Sequence, residues 1–145
     1  MQTIASLSLA PGPDAVPQAL GWLEQLAEQQ RWPPRLGFQL GLCLDEALTN
    51  VVLYGFPDRA QGGGQGQLRV VLSRQGPDVL VDVIDNGVAF DPTQQDTPPL
   101  AASLDDADVG GHGLRIMRHY LRDIQYRREG GHNHLRMIAA LDQPQ

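Results

Sequence analysis

The chain of 145 residues is long enough for one domain with a real core and too short for two comfortable ones. Hydrophobic residues make up 41% and charged residues 19%, as in ordinary globular proteins, and 17 acidic against 11 basic residues leave a net charge of -6. That balance argues against non-specific nucleic-acid binding, which needs cations to displace phosphate counterions, and leaves only a local basic patch at Arg115, Arg118, Arg122, Arg127 and Arg128.

Thr3 to Leu9 alternates loosely around Ile4, Leu7 and Leu9 and reads as an edge strand, stopped by Pro11, Gly12 and Pro13. Met1 to Ala10 has neither the charged start nor the apolar run of a signal peptide. A helix begins at Asp14 or Ala15, tolerates Pro17 in its first turn, and carries Val16, Leu20, Leu23 and Leu26/Ala27 as its apolar stripe. Trp32-Pro33-Pro34 ends it. Leu36 to Gly55 is the central helix, because Leu36, Leu40, Cys43, Leu44, Ala47 and Val51 recur at spacings of three and four. Gly55 reads as its left-handed cap. The single cysteine, Cys43, lies on the apolar stripe, makes no internal disulfide and suits a reducing compartment. No stretch approaches the apolar length of a membrane span, so a cytoplasmic protein with no membrane or direct nucleic-acid partner is expected.

Gln61 to Gln67, QGGGQGQ, reads as a flexible loop. Leu68 to Arg74 and Val79 to Asp85 form two strands around the turn set Gln75-Gly76-Pro77-Asp78, and the second, VLVDVID, is apolar enough to be central. Thr93 to Val109 is long, polar and without periodicity, a pattern that marks lids and binding loops. Gly110-Gly111-His112-Gly113 opens a helix whose stripe is Leu114, Met117, Tyr120 and Leu121. Ile124 to Arg128 and His134 to Leu141 close the chain as a hairpin around Glu129-Gly130-Gly131-His132-Asn133, before a frayed tail. The pattern predicts one α+β domain over 1–145, a two-layer sandwich with helices on one face of a mixed, mostly antiparallel sheet.

Three stretches carry chemistry. Glu46 and Asn50 are four apart and share one helix face, a carboxylate beside a carboxamide that suits magnesium or a general base. Asp85 ends a buried strand and is followed by Asn86-Gly87; its carboxylate is able to accept from an exocyclic amine while the glycine lets a flat ring approach. Gly111 and Gly113 precede a helix start, where unpaired N–H groups attract an anion. No Gly-Lys-Ser/Thr follows and no strand feeds the glycines, which excludes the P-loop and the dinucleotide fingerprint. His112, His119, His132 and His134 match no compact zinc spacing.

In this order the motifs resemble the ATP-binding superfamily of gyrase, heat-shock chaperone and histidine-kinase ATPases. DEALTNVVLYGF, VIDNGVAFDP and GGHGLRIMRHYLRDIQYRREGGHNHLRM look most like the three motifs of the small anti-sigma-factor serine kinases, and the resemblance covers about Ala5 to Leu141. It implies the Bergerat-type ATP-binding fold with an ATP lid at about 92–110. It implies ATP and magnesium as cofactors, with Asn50 as the metal ligand and Glu46 as the catalytic base toward a serine or threonine hydroxyl. Asp85 would read the adenine amine, Gly87 would make room for the ring, and Gly111, Gly113 and Leu114 would serve the phosphates. In many relatives a threonine of the last hairpin completes the adenine site; Asn133 is the nearest match here.

The resemblance further implies an anti-sigma factor that phosphorylates a STAS-type antagonist in a partner-switching circuit, with a sigma factor as second partner; it also allows a homodimer. Two alternatives follow from the same motifs: a nucleotide-binding interaction module without kinase activity, and a separated histidine-kinase catalytic domain.

Overall fold

In the computed structural model, residues 1–56, 66–94 and 113–141 are described. Strand β1 (Gln2–Leu9) leads into helices α1 (Ala15–Gln29) and α2 (Pro34–Tyr54). Strands β2 (Leu68–Gln75) and β3 (Asp78–Asp85) form a hairpin, then come a 3-10 turn (Pro92–Gln94), helix α3 (Gly113–Tyr120), and the hairpin of β4 (Asp123–Glu129) and β5 (His132–Ala140). The sheet order is β1-β2-β3-β5-β4, with β1 at one edge and β3 in the centre, as the hydrophobic pattern predicts. Every ladder among the described residues is antiparallel, which corrects the expected mixed sheet. The route through α3 delivers β4 to the outer edge, and its hairpin turns β5 back between β4 and β3.

The core lies between one sheet face and the helices. Val79, Val81 and Val83 of β3, Val70 and Leu72 of β2, and Leu135 and Met137 of β5 meet Leu40, Leu44 and Leu48 of α2 there. The stripe on α2 is wider than its spacing suggests: Leu48 and Asn50 are buried as well, and Val51 is only half-buried. On α1 the buried line is Ala15, Ala19, Leu23 and Leu26, with Val16 and Leu20 on its flank. Among the described residues α2 alone is long and apolar enough, by length and composition, to cross a membrane, contrary to the sequence expectation. Its stripe packs into this core, which accounts for its apolar character.

Helix α1 closes with a Schellman motif: Arg31 takes a φ of 56°, Trp32 N–H donates to the Ala27 carbonyl at 3.0 Å and Arg31 N–H to that of Glu28 at 3.1 Å. Gly55 behaves differently from expectation. Its φ of -77° and ψ of -25° are right-handed, so the left-handed cap is absent. A side chain there would meet the Val51 carbonyl oxygen at 2.7 Å, which is why glycine suits the position. The second hairpin is also tighter than expected. Gly130 and Gly131, at φ 59° and 78°, make the turn alone, and Asn133 therefore belongs to β5.

On the opposite sheet face Asp82 is only 3% exposed, and its Oδ1 accepts from His134 Nε2 at 2.9 Å and Arg136 Nε at 2.7 Å. The expected basic patch does not form as a unit. Arg122 pairs with Asp78, Arg127 lies by Glu129, Arg128 donates to the Gly87 carbonyl and Arg118 to that of Thr93.

Candidate functional site

The end of β3 is clamped by its neighbours in register, Leu68 on β2 and Asn133 on β5. Asp85 is 4% exposed there. Its Oδ1 accepts the Gly87 N–H at 2.8 Å, closing an Asx turn, and the Asn133 Nδ2 at 2.9 Å. Its Oδ2 has no hydrogen bond among the described residues, and Asp85 lines a cavity.

Asn133 holds the surrounding loop together. Its Nδ2 also donates to the Val88 carbonyl at 2.8 Å, while its Oδ1 accepts from Tyr126 OH at 2.5 Å and from Phe90 N–H at 3.3 Å. Both donors and both acceptor positions of the amide are thereby used, as a buried carboxamide requires. Tyr126, Val88 and Phe90 were not singled out from sequence. The alternation of Ile124 and Tyr126 along β4 was the available signal, since it puts the phenol on the inner face.

Gly87 has a neighbour that sequence could not show. A Cβ there would lie 2.9 Å from the Gly55 carbonyl carbon and 3.0 Å from Asp85 Oδ1, and the Gly55 carbonyl accepts from Val88 N–H at 2.8 Å. Gly87 thus lets the end of α2 dock on the loop after β3, and a methyl there would force that contact apart, whereas one at Gly55 would meet the Val51 carbonyl oxygen at 2.7 Å.

From α2, Asn50 lines the same cavity; it is 7% exposed and makes no hydrogen bond among the described residues. Glu46 stands one turn earlier and is half-buried. Asp45 and Thr49 pair with each other at 3.2 Å on the flank of this face. The cavity between Asn50, Asp85, Phe90, Pro92, Tyr126 and Asn133 measures about 30 Å³, room for a single water and far below the roughly 300 Å³ of the smallest ligand pockets. Phe90 also lines it, and its ring stacks on Tyr54 at 5.6 Å and 28°. Tyr54 is itself 45% exposed.

Asp91 Oδ1 accepts from Thr93 N–H at 2.9 Å and Thr93 Oγ1 at 2.5 Å, fixing the start of the 3-10 turn. Gly113 is the first residue of α3 and Leu114 is buried behind it. Gly111, Gly110, His112 and the predicted lid beyond Gln94 lie outside the described residues. His134 is engaged by Asp82, His132 Nδ1 lies 2.9 Å from the Gly130 carbonyl, and His119 packs edge-on against Tyr120. Cys43, one turn from Glu46, is fully buried; burial, then the Glu46 charge, pushes its thiol from 9.0 to about 12.

A two-layer α+β sandwich with a buried aspartate closing the central strand and an asparagine facing it from the core helix defines an ATP-binding domain of the histidine-kinase type. The chain belongs to the histidine kinase-like ATPase domain family, whose pattern matches residues 9–139. It is 44% identical over 134 residues to the serine/threonine-protein kinase BtrW of Bordetella bronchiseptica, covering 92% of each chain. It is 26% identical over 89 residues to the anti-sigma F factor of Clostridium beijerinckii, covering 61% of this chain and 59% of that one. In structure it is similar to the histidine kinase domain of a blue-light activated kinase from Erythrobacter litoralis EL346, with a TM-score of 0.54 at 20% identity over 75% of this chain and 46% of that one. This last likeness concerns the fold. The family resemblance drawn from the three motifs is therefore met, and the family is one of ATP users.

Proposed function

We propose that this protein is an ATP-dependent serine/threonine protein kinase that acts as an anti-sigma factor and phosphorylates a STAS-type antagonist. The observation that carries the reading is the meeting of Asp85 and Asn50, both buried, in the lining of one cavity. The residue types suit the nucleotide and its metal, although the cavity as it stands holds only about 30 Å³. In this reading Asp85 Oδ2 accepts the adenine amine; Oδ1 is held by Gly87 and Asn133. The Asn50 amide oxygen is a hard ligand of the kind magnesium takes, and would hold the metal with its other positions left to non-protein oxygens.

Asn50 would hold magnesium, which when bound would supply charge neutralisation for the transferred group. Glu46 orients the attacking serine or threonine hydroxyl and accepts its proton. Gly111, Gly113 and Leu114 offer backbone N–H groups to the phosphates at the start of α3, and the segment at about 92–110 serves as the lid. The chain works as a single domain over 1–145 in the cytoplasm. Its partners are the antagonist and a sigma factor, bound in alternation because nucleotide state changes their relative affinity. A homodimer completes the proposal.

The same motifs allow a second reading, a nucleotide-binding protein-interaction module without kinase activity. Radiolabelled γ-phosphate transfer to a cognate antagonist separates the two. Transfer to an acid-stable serine or threonine, lost in Glu46→Gln while calorimetric ATP binding persists, supports the kinase. Binding without transfer supports the module, and acid-labile phosphate would instead indicate a histidine acceptor.

A further inference from the structure

On the far side of α2 from Asn50, the C-terminal half of α1 and the N-terminal half of α2 border an open groove of about 700 Å³. Glycines create it. Gly37 and Gly41 are one turn apart on α2; a Cβ at Gly41 would meet nothing within 4 Å, and one at Gly37 only the Ala27 Cβ at 3.5 Å. Each glycine in a helix interior forgoes about 1 kcal/mol relative to alanine. Neither is required by a close contact or by a positive φ. Buried Leu23, half-buried Leu20 and Leu42, and Phe38, 65% exposed, line the groove.

The rim is acidic. Glu24 and Glu28, exposed and one turn apart on α1, and Asp45 on α2 face a single basic residue, Arg31. Like charges at this spacing repel by a few tenths of a kcal/mol, and neither glutamate enters an ion pair among the described residues. Stability is thus forgone twice at one surface, in backbone and in charge. An apolar trough with a polar border is the form of a helix-receiving groove, and the sign of its rim selects the ligand.

We propose that this groove docks an amphipathic helix of a partner protein, with apolar residues at i, i+3/i+4 and i+7 entering between α1 and α2 and lysines or arginines answering Glu24, Glu28 and Asp45. The inference goes beyond the kinase reading and does not depend on it. A second copy of the chain is a poorer occupant: its basic helix α3 has its own apolar stripe, Leu114 and Met117, buried.

The test is fluorescence anisotropy of two labelled 14-residue synthetic amphipathic helices, one of leucine and lysine and one of leucine and glutamate, against the intact protein. The Leu/Lys helix binds and the Leu/Glu helix does not. Gly41→Leu, which fills the trough where a side chain meets open space, weakens binding about tenfold, as losing one apolar anchor does. Phe38→Ala, an exposed position that leaves the fold intact, weakens it about fivefold, the same order of loss. Glu24→Lys with Glu28→Lys weakens it at least as much. The proposal is overturned if neither helix binds, if both bind equally, or if Phe38→Ala and Gly41→Leu leave affinity unchanged. It is equally overturned if sedimentation shows a dimer that Phe38→Ala dissociates, since the occupant is then a second copy.

Discussion

Asn133 stands directly opposite Asp85 in the β3–β5 ladder and donates its Nδ2 to the Asp85 Oδ1 at 2.9 Å. One carboxylate oxygen is thereby committed to the protein and the other is left for the cavity. The same amide ties Val88, Phe90 and Tyr126 to the strand, so recognition at Asp85 and order in the following loop share one residue.

Asn133→Leu removes all four bonds while keeping the volume. The loss expected is about 2–4 kcal/mol in urea unfolding, because a buried phenol, amide and carbonyl lose their partner together. Calorimetric ATP affinity falls with it. Asn133→Thr restores one donor to Asp85 and recovers part of the nucleotide affinity. Equal ATP affinity in wild type and Asn133→Leu would remove Asn133 from the site.

Gly87→Ala pushes a methyl against the Gly55 carbonyl and Asp85 Oδ1. Overpacking of this kind costs about 1–3 kcal/mol, and here it also shifts the loop that carries Val88 and Phe90. Both melting temperature and ATP affinity should drop. Gly76→Ala is the control: Gly76 has a φ of 56° in the β2–β3 turn, with open space around it. That strain costs about 1–2 kcal/mol and leaves nucleotide affinity unchanged. A Gly87→Ala protein that melts lower yet binds ATP as wild type would show the glycine to be purely structural.

Much of this architecture was readable because local pattern and tertiary role agreed. The alternation in β1, the apolar run of β3 and the stripe of α2 each report burial directly, and Glu46, Asn50 and Asp85 are residue types that stand out against such runs. What escaped were features decided by contacts distant in sequence. Gly55 looked like a left-handed cap, but its backbone is needed by Val88, 33 residues away. Asn133 looked like a turn residue until the pair Gly130-Gly131 took the whole turn. Leu48 was missed because α2 is covered by more than one neighbour, which widens its buried face. The cluster of Asp82, His134 and Arg136 joins strands some fifty residues apart and has no local signature.

Arg31 occupies the left-handed position that ends α1, at φ 56°, where a side chain costs about 1 kcal/mol relative to glycine. Arg31→Gly should stabilise the protein by about 0.5–1 kcal/mol in urea, with the Trp32 to Ala27 bond retained. The same change strips the groove rim of its basic residue, so affinity for the Leu/Lys helix should rise. A loss of stability would mean that the arginine side chain contributes more through its contacts than its backbone strain costs.

Cys43 gives the fold a dependence on alkaline pH. Its thiol is held at about 12 in the native protein against 9.0 ordinarily, first by burial and then by the charge of Glu46. Between these values the unfolded chain has released a proton that the folded chain still binds. The unfolded state therefore holds fewer protons, and stability falls as pH rises. The contribution is complete below about pH 9 and is lost progressively toward pH 12. Urea unfolding of wild type and Cys43→Ala at pH 8 and pH 10.5 isolates the effect, because other titrating groups are common to both. Cys43→Ala starts less stable, through the cavity it leaves, but loses less between the two pH values. Parallel losses would show that the native thiol ionises as readily as the unfolded one, and hence that Cys43 is open to solvent.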